Sequence, residues 1–155
     1  MQESDIVHAP RPWVNLAAFC QNVIVEQGTG HISVIKINDG MTLVGVTKEM
    51  QPTPVQLTMA LILKAGDMQG QYSVKVRCVS PSGVETTGPD IPHFFEGGGR
   101  GIQTVLPIGM IATEHGDYWF DVLLEDEILT RVPLRVLYQQ VPMPPGMGGQ
   151  IVPGR

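Results

Sequence analysis

The chain has 155 residues, a length that fits one domain with its own core. Hydrophobic residues make up 43% and charged residues 16% of it, which excludes a disordered chain, since that would be highly charged and poor in apolar residues. Net charge is −5 and the 10 basic residues are scattered singly, so the clustered basic footprint of a nucleic-acid binder is missing.

Glycine (18) and proline (13) are both abundant, as many short strands joined by turns require. Residues 1–12 are polar and proline-containing and read as a flexible leader. They show no basic n-region followed by an apolar h-region, and no later run approaches the ~18–20 apolar residues of a bilayer span, so a cytoplasmic protein with no membrane partner is expected. Trp13 to Glu26 is apolar and carries aromatic and β-branched residues. A turn at residues 27–30 and a returning run from His31 to Ile37 make it a hairpin. Asn38, Asp39 and Gly40 form a second turn, and Met41 to Val46 a short strand.

From Val55 to Lys64 the residues Val55, Leu57, Met59, Leu61 and Leu63 share one face, the period of a strand. Leu, Met and Ala would also suit a helix there, but flanking prolines favour the strand. Residues 66–70 read as a loop. Tyr72, Val74, Val76 and Cys78 then alternate with Ser73, Lys75 and Arg77, an apolar face backed by a charged one. Residues 80–83 turn the chain. Ile91 to Phe95 reads as an edge strand, because proline is tolerated at edges, and residues 97–101 as a flexible glycine loop. Ile102 to Ala112 is a strand with a bulge or bend expected at Pro107 and Gly109. Tyr118, Phe120, Val122 and Leu124 face inward, residues 125–127 turn, and Val132, Leu134, Val136 and Tyr138 return on the same side. From Val141 onward the Pro/Gly/Met-rich sequence reads as a tail. The expected fold is all-β: an Ig-like two-layer antiparallel β-sandwich of seven or eight strands over residues 13–140, between a leader (1–12) and a flexible tail (141–155).

Three stretches also carry a resemblance: Leu16 to Cys20 leading through a glycine turn into His31 to Ile35; Tyr72 to Arg77 followed by Val79 to Gly83; and Gly116 to Val122 with Arg131 to Val136. In this order they resemble an uncharacterised family of small bacterial β-sandwich proteins, a domain of unknown function. The resemblance implies the same fold and a bacterial setting, and brings no activity and no site residues.

Each cluster that could carry chemistry has a structural reading beside it. The run Gly97, Gly98, Gly99 and Arg100 could hold an anion on its backbone amides, but no Lys-Ser/Thr and no helix follow, so a connector is favoured. Glu114, His115 and Asp117 occupy turn positions, where polar residues are ordinary, and Glu125 to Glu127 lacks the spaced ligands of a calcium loop. Cys20 and Cys78 lie in apolar runs and read as buried free thiols. They have no CxxC partner, so neither a metal site nor a cofactor is expected. Trp119 falls on the outward face with Leu123: it could mark a binding surface, since Trp is enriched at binding hot spots, but cover by a loop, the tail or an adjacent strand is the favoured reading. The expected function is a non-enzymatic protein-interaction or assembly module, binding a protein partner or a second copy of itself. A small-ligand or carbohydrate binder and a hydrolase with an unrecognised site are the alternatives.

Overall fold

The two runs of clearest alternation, 55–63 and 72–78, are the two ends of a single strand. The computed structural model describes residues 11–146. Its eight strands are β1 (Trp13–Val25), β2 (Ile32–Asn38), β3 (Gly40–Gly45), β4 (Thr53–Val79), β5 (Glu85–Thr87), β6 (Ile91–Ala112), β7 (Gly116–Leu124) and β8 (Glu127–Gln140). No helix occurs among the described residues. Strands β4 and β6 pair antiparallel along nearly their whole length, from Thr53 opposite Ala112 to Val74 opposite Ile91.

This long ribbon folds over on itself. The first half of β4 carries β1 on its free edge, with Phe19 opposite Met59, and β2 beyond. The second half carries β7, with Phe120 opposite Cys78, then β8 and β3. In a straight strand, Met59 and Cys78 would stand ~63 Å apart at ~3.3 Å per residue. Yet the rings of Phe19 and Phe120 meet edge to face with centroids 4.8 Å apart. The two halves of the ribbon therefore lie face to face as the two layers of a sandwich.

The bend sits where the pairing slips, between Lys64 and Gly66 and again between Gly66 and Gln69. Gly66, Gly97 and Gly98 have φ of 57°, 89° and 63°, a region that L-residues with a Cβ rarely enter. The glycine runs read above as loops are thus the folded-over middle of two continuous strands: glycine relieves the backbone there, but the ladder persists on either side. The bulge expected at Pro107 and Gly109 is absent, because Pro107 lies on an edge strand and keeps its register opposite Thr58.

The core is built mainly from the inward rows of β1, β4, β6, β7 and β8. Phe19, Val55, Met59, Leu61, Leu63, Val74, Leu106, Tyr118, Phe120, Val122, Leu134 and Val136 are buried, with Tyr72, Val76 and Cys78 packed against them. The chain passes from the first layer to the second between β6 and β7, and Tyr118 fixes that crossing. Its hydroxyl donates to the Glu114 carbonyl at 2.9 Å and accepts the Thr113 and Glu114 N–H groups, both at 3.2 Å. A tyrosine near the start of a strand bonding back to the preceding corner is a mark of Ig-like sandwiches. The fold is all-β and Ig-like, as expected from the sequence, with one departure from the antiparallel pattern. Strand β3 runs parallel to β8, Gly40 opposite Arg135 through Gly45 opposite Gln140.

The leader and most of the tail expected from the sequence lie outside the described residues. Of the parts within them, Arg11 pairs with Glu127 at 3.2 Å, and the Val141 N–H donates to the Gly45 carbonyl at 2.8 Å.

Two stability tests follow from this packing. A Cβ at Gly101 would overlap the Leu63 carbonyl oxygen, whereas one at Gly99 meets nothing within 4 Å. Gly101→Ala is expected to lower the urea-unfolding free energy by ~1–3 kcal/mol. Gly99→Ala, a few residues away, should stay within ~0.5 kcal/mol; equal effects would contradict the ribbon geometry. Phe120→Ala should cost ~3–5 kcal/mol, a large share of a total of ~5–15 kcal/mol. An unchanged denaturation midpoint would remove Phe120 from the interlayer core.

Candidate functional site

Alternation that sends Tyr118, Phe120 and Val122 inward sends Asp117, Trp119 and Asp121 to the outer face of the second layer. The neighbouring strands supply rows across that face. Arg77, Asp121 and Arg131 form one row, and Val79, Trp119 and Pro133 the next. Asp117, Arg135 and Gly40 form the third, with Leu137 and Thr42 beyond it.

The first row is a lock. Asp121 is fully buried, and its Oδ2 accepts Arg77 Nη2 at 2.7 Å and Arg77 Nε at 3.2 Å. Its Oδ1 lies 2.8 Å from Arg131 Nε, an ion contact out of line for a hydrogen bond. A buried carboxylate held between two guanidinium groups ties β4, β7 and β8 together, and breaking such a pair is costly.

Above the lock the face opens. Trp119 is 42% exposed. With Pro133, Leu137, Met41 and Thr42 it lines an open groove of about 710 Å³, which Asp39, Asp117 and Arg135 also line. Asp117 takes Arg135 as a two-point partner, Nε to Oδ1 at 2.9 Å and Nη2 to Oδ2 at 3.4 Å. This bonding lowers the Asp117 pKa and raises that of Arg135, so the pair stays ionised. The Arg135 N–H donates to the Asp39 carbonyl at 2.8 Å, which seats the 38–40 turn beside the groove.

Trp119 thus occupies the outward, solvent-facing position that alternation assigns to it. Leu123 keeps the same outward register, opposite Lys75, and stands outside the core cluster, but it is covered there: at 4% exposure it offers no surface to a partner. Gly97, Gly98 and Gly99 belong to the bend of β6, and Arg100 turns onto Glu96 at 2.7 Å. Pro133, Arg135 and Leu137 could have been found by continuing the outward period of β8 past Arg131. Asp39 to Thr42 could not, since nothing in the sequence signals that β3 pairs parallel to β8.

The remaining polar clusters are engaged in holding turns. Glu114 Oε1 accepts the Ser82 N–H at 3.0 Å and the Ser82 hydroxyl, and these bonds lower its pKa. Lys75 pairs with Asp126 and, at 3.7 Å, with Asp90, and Glu125 accepts the Ser73 N–H at 2.7 Å. Among the described residues no three His, Cys, Asp or Glu side chains converge to hold a metal ion. Both cysteines are free, and burial pushes the Cys78 thiol up to about 11, which keeps it protonated at neutral pH.

No family model matches the chain, and no curated protein matches it. Among solved structures it is similar to an immunoglobulin-like protein from Pseudomonas aeruginosa, at 13% identity and a TM-score of 0.36, over 84% of this chain and 98% of that one.

One titratable group of this layer lies away from the groove. His93 is opposite Tyr72, its Nε2 is buried without a hydrogen-bond partner, and burial lowers its pKa. The folded state then binds fewer protons than the unfolded chain, whose histidine titrates near ~6.5. The stability contributed by neutral His93 is complete above that pH and is lost as pH falls below it. Wild type should therefore lose more in Tm between pH 7 and pH 5 than His93→Gln; parallel curves would show that burial of His93 carries no linkage.

Proposed function

We propose that this protein is a non-enzymatic interaction module that binds another protein through the outer face of its second layer, with Trp119 at the centre. The observation that carries this reading is the exposure of Trp119 in an open groove that Pro133 and Leu137 line together with Asp39, Asp117 and Arg135. Tryptophan removes more apolar area from water than any other side chain and is enriched at binding hot spots. The groups that would serve a hydrolase are spent elsewhere: Glu114 on Ser82, Asp117 on Arg135, and Asp121 between two arginines. A binding module needs a surface and a rigid support. The Asp121 lock supplies the support directly beneath Trp119.

A cytoplasmic setting and a protein rather than nucleic-acid partner belong to the same reading. A chain of net charge −5 repels nucleic acid and favours partners of the opposite sign.

Light scattering on the pure protein would first establish whether the partner is a second copy. Binding to the partner, self or other, should then weaken ~30-fold or more in Trp119→Ala, the loss of a hot spot worth at least ~2 kcal/mol, while the unfolding midpoint moves little. Binding unaffected by Trp119→Ala would move the working surface elsewhere. A hydrolytic activity abolished by changing His115 or Asp117 would replace the proposal with an enzyme.

A further inference from the structure

The groove has a sign as well as a shape. Two carboxylates, Asp39 and Asp117, and one guanidinium, Arg135, line it. Arg135 is taken by Asp117 through two contacts, so neither of those charges is left for a ligand. Asp39 is exposed and forms no ion pair within 4 Å among the described residues, although its charge reaches Arg135. With two carboxylates against one guanidinium, what the groove offers a visitor is one negative charge in excess beside an aromatic face.

That combination matches one kind of side chain. Arginine and lysine lay an apolar stem along a surface and keep a charged head in contact with water or a counter-charge. Over a tryptophan face such a cation is drawn by the negative face of the ring, more strongly when partly desolvated. A carboxylate at the far end of the stem adds a charge-assisted hydrogen bond. An anionic ligand meets Asp39 unfavourably, and a neutral one leaves it without a partner. Apolar contacts for residues flanking the cation lie on the same face: Leu137 is 49% exposed and Val44 is 65% exposed.

We propose that the groove is the receptor for an arginine or lysine side chain on an extended segment of a partner protein, its stem over Trp119 and its head on Asp39. This rests on the reading of the Trp119 face as the working surface and adds the chemistry of what it takes. The net charge of −5 attracts a cationic segment from a distance, which makes the encounter, like the contact, sensitive to salt.

The test uses the whole chain, labelled with ¹⁵N. It follows the indole N–H signal of Trp119, assigned by its loss in Trp119→Phe and so distinguished from that of Trp13. The probes are two end-blocked pentapeptide pools with mixed apolar flanks, one with a central arginine and one with citrulline, which keeps the shape and removes the charge. A third pool carries a central glutamate. The arginine pool should shift the Trp119 signal in a saturable way, bind at least tenfold more tightly than citrulline, and weaken at least fivefold from 50 to 300 mM salt. Asp39→Asn should weaken it at least fivefold without moving the unfolding midpoint.

Equal binding of the arginine and citrulline pools, preference for glutamate, or indifference to Asp39→Asn would overturn the assignment of a cation. The face itself would survive those results as long as the partner's binding still depends on Trp119. A Trp119 signal that no pool moves, or that moves with a neutral oligosaccharide alone, overturns the assignment as well. Failure of the underlying reading shows separately, as partner binding that ignores Trp119→Ala.

Discussion

Two strands of unusual length pair with each other and must fold in half, and every other feature of the molecule is arranged around that bend. Strand β4 covers 27 residues and β6 covers 22, far beyond the ~5–6 of a common strand. Left straight, the ribbon would expose the apolar rows of both its halves. Folded at Gly66, Gly97 and Gly98, it brings Phe19 onto Phe120 and closes the core. The remaining strands extend the two layers outward from this ribbon. The Tyr118 hydroxyl secures the passage between layers that follows β6. The bends of the ribbon are thus made by backbone freedom, and the passage into β7 is held by a buried hydrogen-bonded side chain.

The groove is a by-product of how the second layer ends. Strand β3 completes it, and Gly40, where the rows would otherwise place a side chain beside Arg135, contributes none. The face therefore stays open around Trp119 while the row below is closed by Asp121 and its two arginines. The backbone that carries Trp119 is fixed by this neighbouring row, so binding through that face, as we propose, would not have to order the strand first. The cation we assign to the groove would meet a site assembled in advance.

Much of this was legible in the sequence because period two is a direct image of a strand with one buried face. The rows Val55 to Leu63, Tyr72 to Cys78, Tyr118 to Leu124 and Val132 to Tyr138 all obey it, and the same arithmetic sends Trp119 outward. Where the structure differs, the reason is local. Leu123 lies on the outward face that the period assigns to it but is covered there, and period alone reports which face a side chain takes, not what lies over it. Residues 97–101 look like a loop because glycine serves a flexible connector and a sharp strand bend equally well. Asp39 and its neighbours escaped notice because a pairing between the beginning and the end of a chain leaves no mark in either segment.

That last pairing also governs when the protein becomes competent during its synthesis. The Gln140 side chain donates to the Val46 carbonyl across 94 residues of chain. At ~5–20 residues per second, roughly 5–20 s separate the emergence of β3 from that of its partner. For most of that interval Trp119 itself is not yet made, Pro133, Arg135 and Leu137 follow it, and until β8 emerges the edge of β3 has no β8 to pair with. A ribosome-bound or truncated chain that stops before β8 has the aromatic ring but not the groove. If the Trp119 face is the binding surface we propose, it becomes available only in chains that have completed β8.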